Sequence, residues 1–326
     1  MAVKKRRRKK KINRTKLALC ALLEAIVIMT LVVIVGWDYG VEDVLLNLTK
    51  PVVKHVDVTG INRQYGVLMQ ANGGKIIWEQ NGEEQMYPAS LTKVMTTIVA
   101  LEELESLDQR ITLSNRVFEQ LQGQNATQAG FQAGEDVRAM DLLYGAMLPS
   151  GAECCLGLAE YIAGSEAKFA ELMNKKAEAI GMDDTHFENV TGLHSVEHYS
   201  TAKDMAILLK YAIRNKTFRE IAESSRHSTG VTNTHPDGIT YYSTMFKNLT
   251  DAEVIGGKIL GGKTGYTGEA GLCLASYAVI EDREYILVTA GAWGEAGASL
   301  HIQDAVSVYN QLGTAAQALL SENNEY

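Results

Sequence analysis

The sequence predicts an α/β fold: one antiparallel sheet, assembled from both ends of the folded region, flanked by helices and preceded by an N-terminal transmembrane helix. Three observations predict it. A strand–turn–strand pattern opens the folded region at Tyr65. Helical periodicity fills its middle, from Ser90 to Ile221, and three β-rich runs with a last helical stretch close it beyond Gly256. With 46% apolar and 21% charged residues, the 326-residue chain has ample material for a core.

Residues 1–16 hold ten Lys/Arg and no acid, so the net charge of −8 becomes −18 for the remainder. An acidic body argues against a nucleic-acid platform, whose phosphate contacts need clustered Lys/Arg. The basic run is better explained by its neighbour. Leu17 to Trp37 is a stretch of 21 residues with one charge, Glu24. At about 1.5 Å per residue it spans a hydrocarbon layer of roughly 30 Å. The basic flank then assigns residues 1–16 to the cytoplasm, 17–37 to the lipid bilayer and the rest to the outer side, with Trp37 as an interfacial aromatic. A cleavable secretory signal is the rival, but it calls for a shorter apolar core and a small-x-small exit. The chain reads Val35-Gly36-Trp37-Asp38 there. Residues 38–60, of mixed polarity, read as a stalk, and 61–320 as the folded domain.

Within that domain, Asn72-Gly73-Gly74 between two apolar runs is a hairpin signal, followed by a second turn at Asn81-Gly82. Leu91, Val94, Met95, Ile98 and Leu101 recur at three-and-four spacing and predict a helix over residues 90–104. Similar patterns predict helices over 141–148, 152–163, 166–180 and 202–214. Strands are expected over 258–266, 271–280 and 285–292, and a last helix over 299–320. Four cysteines are too few for a disulfide scaffold. Cys154 and Cys155 read as small hydrophobes within a helix, with Cys155 close enough to the candidate chemistry for thiol reagents to inhibit.

Three short strings carry the chemistry. Ser90 and Lys93, in Pro88-Ala-Ser90-Leu-Thr-Lys93, lie three apart where a helix begins, so the hydroxyl and the amine share a face. Alone, such a serine is more often a helix N-cap. Ser150-Gly151-Ala152-Glu153 reads alone as a turn, and Gly262-Lys263-Thr264-Gly265-Tyr266 as an exposed strand edge. Together the strings take on another meaning. An amine held uncharged by burial and a nearby second cation can act as general base for a serine, and Lys263 is available as that cation.

The order and spacing of the three strings fit the Ser-x-x-Lys, Ser-x-Asn-type and Lys-Thr-Gly set of penicillin-binding proteins. The stretches Tyr87–Thr96, Thr185–His194, Tyr199–Ala206 and Gly262–Cys273 extend the likeness. Over residues 62–315 the chain resembles the serine D-alanyl-D-alanine carboxypeptidases, low-molecular-mass penicillin-binding proteins of bacteria. The resemblance implies a β-lactamase/D,D-peptidase-like fold in a bacterial cell membrane. It implies as substrate the D-Ala-D-Ala end of a peptidoglycan stem peptide, with β-lactam antibiotics as covalent inhibitors and no cofactor or metal. It implies Ser90 as nucleophile, Lys93 as base and Ser150 as proton relay. Lys263, Thr264, Gly265 and Tyr266 would bind substrate, the first two at its carboxylate, and the backbone N–H groups of Ser90 and Tyr266 would form the oxyanion hole.

The chain departs from the family at Ala152, where an Asn is usual. That opens the alternative of a penicillin-binding relative with weak or no turnover, and Glu153 or Asn125 are candidates to compensate. Two enzyme rivals use other residues. His194 and His198 could ligate zinc on a helix, but the sequence around them reads as a loop with solvated histidines. Glu171 and Asn174 are the nearest look-alike of a β-lactamase water-activating pair, and read as surface.

Overall fold

The computed structural model describes residues 52–293 and 299–323. The expected span at 17–37 lies outside the described residues, among which no helix is long and apolar enough to cross a membrane. Strands β1 (Tyr65–Gln70) and β2 (Ile76–Gln80) form the expected hairpin. Its turn uses Gly73 and Gly74 at φ +81° and +71°, a region that costs glycine least. A single 3-10 turn, Ala89–Leu91, leads into α1 (Thr92–Glu103). Then come β3 (Arg110–Thr112), α2 (Asn115–Leu121) and β4 (Asp136–Arg138), followed by α3 (Ala139–Met147), α4 (Ala152–Ala163), α5 (Glu166–Ile180), α6 (Ala202–Ala212) and α7 (Lys216–Glu223). A ribbon of β5 (Arg226–Ser228) and β6 (Thr240–Tyr242) precedes β7 (Glu253–Val254), β8 (Gly257–Thr267), β9 (Gly271–Ile280), β10 (Arg283–Ala292) and α8 (Leu300–Asn323).

The helix boundaries have local causes. The side chains of Ser165, Thr201 and Asn215 accept the N–H of Lys168, Asp204 and Phe218, capping α5, α6 and α7. Left-handed Gly164 and Gly181 end α4 and α5. The main sheet runs β2-β1-β10-β9-β8-β7, antiparallel throughout, and the pairing of β1 with β10 joins the two ends of the folded region. The elements not foreseen are the short ones: α2, α7, the two ribbons and β7, none longer than eight residues.

Side chains of the sheet alternate between two apolar layers. Val67, Met69, Ile286, Val288 and Ala290 face the helical block. Leu68, Leu274, Tyr285 and Leu287 face α8, where Ile302, Ala305, Val308, Tyr309 and Leu312 meet them. With both faces covered, β9 and β10 read as nearly continuous apolar runs. Val53 and Val56, inside the expected stalk, are buried in this second layer. Helix α1 occupies the middle of the helical block and is buried from Thr92 to Ala100, so a lysine in its first turn has no easy path to water. Truncating its core contact, Ile98→Ala, should destabilise the fold by about 2–5 kcal/mol. The check is a lower denaturant midpoint with an unchanged slope.

Candidate active site

The nucleophile candidate sits where the chain is forced into a tight approach. Ala89, just before Ser90, has φ +48°, a left-handed conformation for a residue with a Cβ. Gly192 lies behind it: a Cβ there would stand 1.9 Å from the Ala89 carbonyl oxygen, and Gly192 itself has φ +80°. From the other side comes β8, where a Cβ on Gly265 would meet the Ser90 nitrogen at 3.0 Å. Glycine at both positions lets two backbones close on the Ser90 turn.

Lys93 Nζ lies 2.9 Å from Ser90 Oγ and donates to the Thr191 carbonyl oxygen at 2.5 Å. It is 3% exposed. Burial is the leading cause that holds its pKa below the ordinary lysine value; Cys155, Glu153 and Cys154 pull the other way. The second cation therefore plays a different part from the one expected. Repulsion between the two amines weighs on Lys263, which burial already pushes well below its usual range.

The carbonyl that takes Lys93 belongs to a rigidly built loop. Asn189 Oδ1 accepts the N–H groups of Thr191 and Gly192, Glu166 accepts that of Val190, and Thr96 donates to the Val190 carbonyl. His198 completes it. Its Nδ1 accepts from the Glu188 N–H at 3.1 Å, so its Nε2 bears the proton and donates to Thr92 Oγ1 at 2.7 Å. His198 is thus not a solvated loop histidine: it is 2% exposed, and burial lowers its pKa to about 3, keeping it neutral. Both of its nitrogens are taken, which leaves none for a metal. Among the described residues there is no group of three or more His, Cys, Asp or Glu side chains able to hold an ion.

Ser150 lies between α3 and α4 at φ +70°, pinned by hydrogen bonds from Gly151 N to Gly145 O and from Ala152 N to Thr127 O. Its buried hydroxyl has no protein partner and lines the same cleft as Ser90 and Lys93. The cleft has a volume of about 620 Å³, and Thr264, Gly265 and Tyr266 also line it. Lys263 is the exception among the expected site residues. It is 1% exposed and donates to the Thr264 carbonyl at 2.8 Å, while its neighbours Thr264 and Gly265 line the cleft.

Ala152 lines the cleft with a methyl group, and no amide approaches Lys93 there. Of the two candidates to compensate, Asn125 reaches the lining and Glu153 does not. Glu153 is buried, its Oε1 clasping the N–H groups of Ala129 and Gly130 to hold the 124–131 loop on α4. Three residues that sequence reasoning missed also line the cleft: Thr244, whose hydroxyl lies 2.6 Å from that of Thr264, Asn248 and His301. No spacing rule links them to the three strings. Cys155 is fully buried and its thiol is pushed up to about 12, which removes the expected sensitivity to thiol reagents. Glu171 is on the exposed face of α5, while Asn174 is spent on the Phe187 backbone.

A family model described as D-alanyl-D-alanine carboxypeptidase matches residues 52–294. The chain belongs to that family. Curated relatives agree: D-alanyl-D-alanine carboxypeptidase DacF of Bacillus subtilis is 32% identical over 69% of this chain and 56% of its own length. DacD of Escherichia coli is 34% identical over 69% of this chain and 57% of its own length. The chain thus spans somewhat over half the length of these relatives. In structure it is similar to the Streptomyces K15 DD-transpeptidase, with 26% identity, a TM-score of 0.71, and coverage of 80% of this chain and all of that one. The family's sheet-and-helix architecture is the one described above, and the three family strings converge on one cleft. Gly192→Ala should displace the Ser90 turn by enough to slow its reaction with an active-site-directed acylating probe by about 100-fold. Rapid-quench labelling, with circular dichroism to verify folding, measures the effect.

Proposed function

We propose that this chain is a membrane-anchored serine D,D-carboxypeptidase that removes the terminal D-Ala of peptidoglycan stem peptides through an acyl-enzyme on Ser90. The observation that carries the reading is the contact between Ser90 Oγ and a buried, pKa-depressed Lys93 at the wall of an open cleft. A hydroxyl needs a base to attack an amide, and an uncharged amine at hydrogen-bond distance supplies one.

In the proposed course, the Ser90 hydroxyl proton passes to the lone pair of Lys93 as Oγ bonds to the penultimate D-Ala carbonyl carbon. The backbone N–H groups of Ser90 and Tyr266 receive the developing oxyanion, a type of contact contributing about 10²–10³ in rate. The C–N bond then breaks, and the proton reaches the departing amine through Ser150. Lys263 and Thr264 hold the terminal carboxylate, with the Thr244 hydroxyl beside that of Thr264. Water cleaves the ester and returns Ser90 its proton. Residues 17–37 tether the domain to the outer face of the membrane, as their length and basic flank support.

A second reading rests on Ala152. Without an amide at that position, substrate is oriented less firmly, and the chain acts as a penicillin-binding module that grips peptidoglycan with little turnover. Mass spectrometry of a D-Ala-D-Ala-terminated pentapeptide separates the two. Loss of one alanine, blocked by penicillin and unaffected by a chelator, is expected. An unchanged peptide with retained penicillin labelling points to the binding module. Ser90→Ala should abolish labelling by a fluorescent penicillin, and labelling that persists overturns the assignment.

Acylation requires Lys93 uncharged, so its rate should rise with pH as the ammonium loses its proton. Because Lys93 is depressed below 10.5, the plateau should arrive below that pH. A rate profile still climbing through 10.5 would remove Lys93 as the base.

A further inference from the structure

A second cavity opens beside the cleft, past the C-terminal end of β8, and no step of the proposed reaction uses it. Its volume is about 180 Å³, and Gln64, Tyr65, Gln85, Tyr87, Glu269 and Trp293 line it. Sites for drug-sized ligands run to roughly 300–1,000 Å³, so this one suits a single ring. Trp293 is 76% exposed, the highest value for a large apolar side chain among the described residues. A lone exposed indole means little. This one is the wall of a cavity, and its place has a local cause. Gly291, at φ +74°, sits where the register of β9 and β10 shifts between Thr289 and Ala292, and such a bulge re-aims the strand end that follows it. The side chains of Gln64, Gln85 and Glu269 make no hydrogen bond to another described residue, so their polar ends are open to a ligand.

We infer that this cavity is a sugar subsite, which takes a neutral pyranose ring of the glycan to which the stem peptide is joined. The inference rests on the reading of Ser90 as nucleophile toward that peptide, because the reading sets the direction of the stem. With the terminal carboxylate at Thr264 and the penultimate carbonyl at the Tyr266 N–H, the rest of the peptide continues past Thr267 and Gly268 to Glu269, all on the cleft wall. The three remaining residues of a pentapeptide span about 10 Å when extended. Glu269 lines both cavities, so the stem leaves the cleft where the second cavity begins. Tyr87 marks the same border, its ring edge to face at 4.6 Å with that of His194 on the cleft side. Chemistry then selects the occupant. One face of a pyranose presents C–H groups, which sit well on the electron-rich face of an indole or phenol ring. Its hydroxyls donate and accept, and two glutamine amides with a carboxylate answer both functions. Glu269 is the only charged residue of the lining, so a phosphate or free carboxylate meets no counter-charge there. An ammonium group would use Glu269 and the aromatic rings but would leave the donors of both amides idle.

The test uses the full chain and two substrates, a D-Ala-D-Ala pentapeptide and the same pentapeptide carried on its disaccharide. In the wild type the disaccharide should lower KM by about 5-fold at similar kcat, the scale of one aromatic contact. Trp293→Ala should bring the two KM values together, and Trp293→Tyr should keep most of the difference. Equal KM values in the wild type, or a difference that survives Trp293→Ala, overturn the assignment. A second measurement needs no turnover. In Ser90→Ala protein, the indole ¹⁵N–¹H signal of Trp293, assigned by its loss in Trp293→Phe, should move on titration with N,N′-diacetylchitobiose and stay fixed with Nα-acetyllysine amide. A signal that moves with the lysine compound alone gives the cavity to an ammonium group and overturns the sugar. A signal that ignores both compounds refutes the subsite as well. Should the wild type leave both substrates intact while the indole signal still answers the sugar, the reading of Ser90 falls and the subsite stands.

Discussion

Everything in this site depends on keeping one amine dry. Lys93 faces a carbonyl and a hydroxyl inside the helical block, where the charged form loses its hydration and gains little in return. Much of the surrounding structure serves that condition. Helix α1 is buried on all sides over its first turns, and the 188–192 loop closes over it through Asn189, Glu166 and His198. The same burial makes Lys263 a poor proton holder, so the two lysines cannot both be comfortably charged in the free site.

The sheet contributes position rather than chemistry. Strand β8 runs close enough to the Ser90 turn that a Cβ at 265 would crowd the Ser90 nitrogen, and the helical block presses from the other side with Gly192. The hydroxyl is thus held between two backbones, neither of which can retreat without disturbing a packed layer. Ser150, in its left-handed conformation, is fixed by backbone hydrogen bonds on both sides. Groups whose own geometry is over-determined in this way are suited to catalysis that depends on placement.

Much of the fold was legible because it is periodic. The hairpin, α4, α5 and β9 follow directly from turn residues, three-and-four spacing and unbroken apolar runs. The family strings also reveal which side chains meet, since Ser90 and Lys93 are neighbours on one turn. What stayed hidden was tertiary. The partner of Lys93 is a backbone carbonyl at Thr191, and a backbone atom leaves no mark in a side-chain pattern. His198 looked solvated because a loop signal says nothing of what folds over the loop. Thr244 and His301 come from segments with no helical or strand relation to the motifs, and only chain packing brings them to the cleft.

The pairing of β1 with β10 matters beyond architecture. Tyr65 meets Ala290, so the central sheet cannot close until nearly the entire domain has been synthesised. Loop closure over such a separation is slow, and the apolar edges of β1 and β2 wait exposed meanwhile. A polypeptide built this way gains from being kept unfolded by a chaperone until its last strands emerge, and its rate of maturation is set by topology rather than by any single contact.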